Sequence, residues 1–196
     1  MNRLQALVIM FVVQLLPSLV MAHPWKIDPE HSTIGFKVRH MMVANVKGEF
    51  SSYTGTIDID EKDIAKSSVK VSIDTASIDT RIAKRDEHLR SADFFDVATY
   101  PTMTFVSRTV RRISADQLAI TGDLTIRGIT REVILDVSNF TQPVVDPSKK
   151  VRRGASAVTK INRRDFGLAW NKVLEAGGVA VGDEVTIMLE IEMIRQ

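Results

Sequence analysis

Residues 80–105 read TRIAKRDEHLRSADFFDVATYPTMTF, and this stretch breaks a pattern that the rest of the chain keeps. On both sides of it apolar and polar residues alternate with a period of two, the signature of strands with one buried face. Inside it the period changes. Ile82, Arg85, Asp86 and Leu89 fall at helical spacing, with charged residues covering the rest of the turn. Phe94 and Phe95 follow, and Tyr100-Pro101 marks the entry to a new strand, because a residue without a backbone N–H suits the first strand position. The spacing predicts one short helix and an aromatic plug, set into an otherwise all-β chain and closing one end of a barrel.

Working outward, Ile34, Phe36, Val38 and His40 share one face of a strand over residues 32–41, which follows a short one at 25–28. Over residues 46–60 the inward set is even-numbered at Val46, Gly48 and Phe50, then odd at Tyr53, Gly55, Ile57 and Ile59. That parity shift predicts a β-bulge near Ser51 and Ser52. Residues 61–66 form a polar connection with room for one helical turn. Val69, Val71, Ile73 and Thr75 alternate next. Beyond the helix come Met103 and Phe105, then the cleanest strand of the chain, with Leu118, Ile120, Gly122, Leu124 and Ile126 in phase. Gly128 ends it, and Val133, Leu135 and Val137 resume the pattern. A polar loop at 141–150 precedes a strand from 151, an irregular stretch spans 170–182, and Val185, Ile187, Leu189, Ile191 and Met193 close the chain. About eight strands joined mostly by short turns predict an eight-stranded antiparallel lipocalin-like barrel, which leaves no sheet edge exposed. A two-sheet sandwich is the alternative.

Residues 1–22 read as a secretory signal peptide: Arg3 precedes an apolar run broken by Pro17, and Val20, Met21 and Ala22 suit a cleavage site. The domain would then occupy residues 23–196, exported and soluble. There is no cysteine, which excludes disulfides and thiolate metal sites. A formal net charge of +2 makes no demand for nucleic acid as a partner. The basic doublets Lys149-Lys150, Arg152-Arg153 and Arg163-Arg164 read as solvated surface or as contacts to an anionic membrane. No nucleophile elbow, phosphate-binding loop or zinc-protease motif occurs. His31, His40 and His88 read as hydrogen-bonding residues, whereas His23, at the expected mature N-terminus, could chelate a transition metal through its amine and imidazole.

An eight-stranded barrel has an interior that side chains either fill or leave open for one small ligand. Gly48, Gly55, Gly122, Ala155 and Ala157 are small inward positions that could leave a cavity, while Phe36, Phe50, Phe105 and Trp170 could fill it.

The motifs Trp25-x-Ile27-Asp28-x-x-His31-Ser32, His40-Met41, Gly48-x-Phe50, Arg85-Asp86-x-His88-Leu89, Phe94-Phe95, Tyr100-Pro101, Gly122-Asp123-Leu124-Thr125, Gly128-x-Thr130 and Arg164-x-Phe166-Gly167 occur in order along the chain. In this the sequence resembles the YceI-like family of lipid-binding proteins. The resemblance implies a lipocalin-like barrel, bacterial export to the periplasm, no enzymatic mechanism, no cofactor, and a long amphiphilic ligand such as a polyisoprenoid. The candidate ligand-binding residues are Phe36, Val38, His40, Ile57, Val71, Ile73, Arg85, His88, Phe94, Phe95, Met103, Phe105, Leu124, Ile126, Trp170, Ile187 and Leu189. Arg85 or His88 would meet the lipid head group, and Asp86 would pair with an arginine to tie the helix to the barrel rim. The competing reading is an exported enzyme or metal protein using His23, His40 or His88. A strand of about 10 residues spans roughly 33 Å, so a tail of around 40 carbons must coil or protrude, with about 0.8 kcal/mol gained per buried CH₂. The sequence leaves the oligomeric state open.

Overall fold

The computed structural model describes residues 24–175 and 177–196. The expected signal peptide and His23 lie outside the described residues. In chain order the elements are β1 (Trp25–Ile27), β2 (Thr33–His40), β3 (Ala44–Phe50), β4 (Tyr53–Asp58), β5 (Ser68–Asp74), β6 (Ile78–Asp79), α1 (Ala83–Arg90), β7 (Thr102–Arg112), β8 (Leu118–Ile126), β9 (Ile129–Ser138), β10 (Val144–Val145), β11 (Val151–Asn162) and β12 (Val181–Arg195). Single 3-10 turns cover Ile64–Lys66, Thr75–Ser77 and Arg163–Phe166.

All pairings are antiparallel, and the sheet closes on itself. β12 pairs with β11 along one edge and with β2 and then β1 along the other. From there the ring runs through β4, β5, β7, β8 and β9 back to β11. β1 with β2, β3 with β4, and β5 with β6 each form one bent wall, so the barrel is eight-stranded, as the alternation predicts. Among the described residues α1 is the one α-helix.

The parity shift at Ser51 and Ser52 has a different cause from the expected bulge. β3 stops pairing with β2 at Phe50, opposite Ile34, and β4 continues against β1, where Ile57 lies opposite Trp25. The chain turns a corner there, and Ser51 N–H donates to the Ser77 carbonyl at 3.2 Å while Ser52 accepts from Asp74 N–H at 2.9 Å. A bulge does exist in β7, between Ser107 and Thr109. It moves the inward set from Met103 and Phe105 to Val110, and the Ser107 hydroxyl accepts the Val69 N–H at 2.8 Å.

The helix docks by polar contacts. Its one buried residue is Asp86, and Ile82, which shares its helical spacing, is 52% exposed at the N-cap. Asp86 holds the helix through Thr80 and not through the expected arginine: its carboxylate accepts the Thr80 N–H at 2.9 Å and the Thr80 hydroxyl at 2.5 Å. Arg85 donates to the Thr80 hydroxyl and carbonyl, each at 2.7 Å, and Arg90 donates to the Ala76 and Ile78 carbonyls, also at 2.7 Å. Asp86→Ala strands a buried N–H and is expected to cost about 2–3 kcal/mol, whereas Asp86→Asn keeps an acceptor and costs about 1 kcal/mol. Chemical denaturation of both variants checks this; equal losses would mean that the hydrogen-bond acceptor is not what docks the helix.

Candidate functional site

Inward side chains of all eight walls enclose a cavity of about 250 Å³, and every atom exposed to it is apolar. Phe36, Val38, Ile57, Val71, Ile73, Phe94, Phe95, Met103, Phe105, Leu124, Ile126, Ile187 and Leu189 line it. His40, Arg85, His88 and Trp170 stand outside this lining. His40 is the last residue of β2, at the rim. Arg85 is occupied by Thr80, in the segment between β6 and α1. His88 donates its Nε2–H to the Asp93 carboxylate at 2.9 Å and meets Phe94 and Trp170 edge-on, with ring centroids 5.0 and 4.8 Å away. Trp170 therefore covers the outside of the plug. Phe94 and Phe95 reach the cavity, and Phe95 sits edge-on to Phe50 at 5.7 Å.

Several lining residues escape the alternation argument. Val110 faces inward because of the β7 bulge, which nothing in the residue types announces. Phe140 does so because Asn139 takes a left-handed φ of 53° and swings the chain after β9 back over the barrel end. Leu89 is the one helix residue that lines the cavity.

The inward glycines do not create the cavity. A Cβ on Gly48 would stand 2.5 Å from the Phe36 ring, and one on Gly122 would stand 2.5 Å from Phe105 and 2.6 Å from the Val106 carbonyl. At Gly55 the Ile27 side chain takes the same place, also at 2.5 Å. Large side chains lie flat over small ones, and the open volume remains in the middle of the ring, beside Ala155 and Ala157. Both expectations of the sequence therefore hold in part: Phe36, Phe50 and Phe105 line the space without filling it.

A buried arginine stands at each of the two ends. At the helix end, the side chain of Arg163 is 5% exposed and touches the cavity wall. Its guanidinium donates to the carbonyls of Leu168, Trp170 (2.9 Å) and Gly182 (2.9 Å) and to the Asp183 carboxylate (3.1 Å). Burial pushes its pKa down and Asp183 opposes that shift. At the other end Arg153 lies 4.2 Å over the Phe140 ring, donating to the Thr141 carbonyl at 2.6 Å and to Glu61 at 2.9 Å. The basic doublets are thus only partly surface: Lys149, Lys150 and Arg164 are exposed, while Arg153 and Arg163 are buried and Arg152 is nearly so.

Arg152 joins Asp28, Asp146 and Glu192 at that second end, with 2.6 Å contacts to both aspartates. Burial alone would raise the Asp28 carboxyl, but hydrogen bonds from His31 and Arg152 overcome it and hold it below the usual range. Asp146 is lowered chiefly by its bond from Arg152, and His31 is raised by its bond to Asp28. A depressed carboxyl contributes stability above its unfolded pKa, about 3.9, and loses it as pH falls through the folded value. A raised imidazole contributes below about 6.5 and loses it as pH rises through its folded value. The network should therefore be strongest between roughly pH 4 and 6.5. In melting curves across pH, the excess stability of the protein over Asp28→Asn should shrink on both sides of that window; a constant difference would contradict the assignment.

Among the described residues, the one grouping of three potential metal ligands is Asp28, Glu30 and His31, and Arg152 already occupies Asp28. His40 and His88 belong to no such group.

The family model for the YceI-like domain matches residues 25–193. The chain is 38% identical to protein YceI of Escherichia coli O157:H7 over 177 residues, covering 89% of this chain and 88% of that one. It is 37% identical to protein YceI of Salmonella newport over the same length. Among solved structures, Burkholderia cenocepacia BcnA superposes with a TM-score of 0.74 at 25% identity, covering 85% of this chain and 98% of that one. The Campylobacter jejuni YceI protein gives 0.69 at 30% identity, covering 82% and 91%. A polyisoprenoid-binding domain from Saccharophagus degradans shares the fold at 0.64 and 16% identity, covering 88% and 98%.

Proposed function

The chain belongs to the YceI-like family, and from that premise we propose that it is a binding protein that holds an amphiphilic lipid of isoprenoid type in its barrel, as carrier or reservoir. The observation that carries this reading is the cavity of about 250 Å³ with only apolar atoms exposed inside it. Such a surface offers no group for chemistry and no donor for a polar ligand, so what it takes is hydrocarbon. Among the described residues the one charged side chain at its wall is Arg163, and its donors are engaged by the protein itself. That argues against an anionic head group buried in the barrel and for a head group left at the mouth. The domain from Saccharophagus degradans, named for polyisoprenoid binding, has the same fold, which is compatible with this use of it.

Volume refines the ligand. An apolar cavity of about 150 Å³ holds benzene, so the space here takes roughly ten carbons as it stands. A tail of around 40 carbons needs several times more, which requires rotation of rings such as Phe36 and Phe105 or a tail that protrudes. In this reading the protein is exported after cleavage behind Ala22, acts in the periplasm and needs no cofactor.

Organic extraction of protein purified from its native host, with mass spectrometry, should yield an isoprenoid lipid. A protein that is reproducibly empty and also takes up no prenyl alcohol in titration overturns the proposal. Ala157→Phe places a ring in the cavity and should weaken uptake at least about tenfold, at a stability cost of about 1–3 kcal/mol. Unchanged uptake in a folded Ala157→Phe protein would show that the cavity is not the site.

A further inference from the structure

At the helix end of the barrel β2 turns into β3 through residues 41–43, and the turn carries its apolar side chains outward. Met41, Met42 and Val43 are 44%, 55% and 76% exposed. Val43 N–H donates to the His40 carbonyl at 3.0 Å, which closes the turn. Met41 and Met42 take φ of 49° and 60°, both left-handed. Asn-Gly makes such a turn without steric conflict, and methionine does not. Stability alone favours other residues here, so the strain and the exposure point the same way, to a use for the side chains.

A second short hairpin stands beside the first. Val173, 79% exposed, bridges to Val179, and Met41 N–H donates to the Ala180 carbonyl at 2.8 Å. A Cβ on Gly178 would touch the Met42 side chain at 3.4 Å. The two turns thus make one apolar tip. Arg39, Lys47 and Lys172 are exposed near it, Arg39 also donating to the Met42 carbonyl at 2.9 Å; of the carboxylates at this end, Asp183 is paired with Arg163 and Arg164 and Glu184 with Lys160, and Glu175 sits in the second turn. The tip also adjoins the cavity. Val38 and Val181 line it, and Val181 pairs with His40, the residue before Met41.

We propose that this tip docks the protein on a lipid bilayer, with Met41, Met42, Val43 and Val173 entering the interface and Arg39, Lys47 and Lys172 meeting anionic head groups. Apolar side chains with cations near them match the two layers such a surface presents, hydrocarbon beneath negative charge. Docking here turns the helix end of the barrel, where Val38 and Val181 line the cavity, toward the membrane; passage of lipid between the two rests on the lipid-binding reading, and docking itself does not. Another apolar projection, Val144 and Val145 in β10, is 59% and 70% exposed but lies at the opposite end of the barrel and turns through Asp146, Pro147 and Ser148, ordinary turn residues.

The test is flotation with vesicles of phosphatidylethanolamine and phosphatidylglycerol, against vesicles of phosphatidylcholine, alongside uptake of a fluorescent prenyl alcohol from solution. The protein should float with the anionic vesicles and far less with the neutral ones. The double variant Met41→Asn, Met42→Gly suits the left-handed turn, so its melting temperature should hold or rise and its uptake from solution should be unchanged. Its vesicle binding should fall at least about tenfold. The double variant Val144→Ser, Val145→Ser should float as the parent does. Failure of the parent to float, equal flotation of the tip variant, or loss confined to the β10 variant each overturns the proposal. Flotation that behaves as expected in a protein that takes up no prenyl alcohol keeps the docking site and removes the lipid-binding reading of the cavity.

Discussion

Arg163→Met should lower stability by about 3–5 kcal/mol, the range seen when one member of a buried charged network is removed and its partners stay behind. Methionine keeps the stem against the cavity wall, so the loss reads the guanidinium and not the packing. What it leaves are the carbonyls of Leu168 and Trp170, in the segment joining β11 to β12, and of Gly182, at the start of β12, without their donor. Asp183→Asn should cost far less, below about 1 kcal/mol, because Asp183 is 41% exposed and the carbonyls still hold the arginine. Thermal and chemical denaturation of the two variants gives the comparison. Similar losses in both would mean that the ion pair, and not the carbonyl cluster, is what Arg163 supplies. Trp170 fluorescence should report the loosening, since its carbonyl is one of those released.

Phe94→Ala should be the other severe change, at about 3–5 kcal/mol, or roughly 10 °C in melting temperature for a domain of this size. Phe94 is 6% exposed and lines the cavity, with His88 edge-on at 5.0 Å and Trp170 tilted at 5.3 Å. Its carbonyl accepts from Arg127 at 2.6 Å, so the surrounding loop is tethered and cannot collapse into the space left behind. The cost of a cavity depends on that inability to collapse. Phe95→Ala should cost less, because Phe95 is only half-buried against Phe50. A ligand held in the barrel should dissociate faster from the Phe94 variant. If both variants keep the parent's melting temperature and ligand retention, the aromatic pair is not a plug.

The fold was legible from the chain because strand alternation is a local property. Ile120, Leu124 and Ile126 must share a face whatever they meet, and the helical spacing around Arg85 and Leu89 must break that run. Eight such runs with short turns leave few arrangements other than a closed meander. The inward-facing candidates, Phe36 through Leu189, followed from the same parity and do line one cavity. Parity also put His40 on the inward face, but it ends β2 at the rim, and Arg85, His88 and Trp170, which lie outside the strands, did not follow, since a polar or aromatic side chain takes whichever partner folding brings near it. Arg85 found Thr80, and His88 found Asp93.

What the sequence by itself determined is which face of each strand is apolar, where the one helix interrupts them and, through its ordered motifs, which family the chain resembles. Only the tertiary structure decided that Ser51 and Ser52 turn a corner, that Phe36 and Phe105 lie over Gly48 and Gly122, that Arg153 and Arg163 are buried, and that Met41, Met42 and Val173 meet in one exposed tip. Each of these depends on partners from other strands, some of them more than a hundred residues away in the chain. A pattern of neighbours along the chain carries the direction of a side chain, but not the identity of what lies opposite, and volume, burial and charge pairing are properties of that opposite surface.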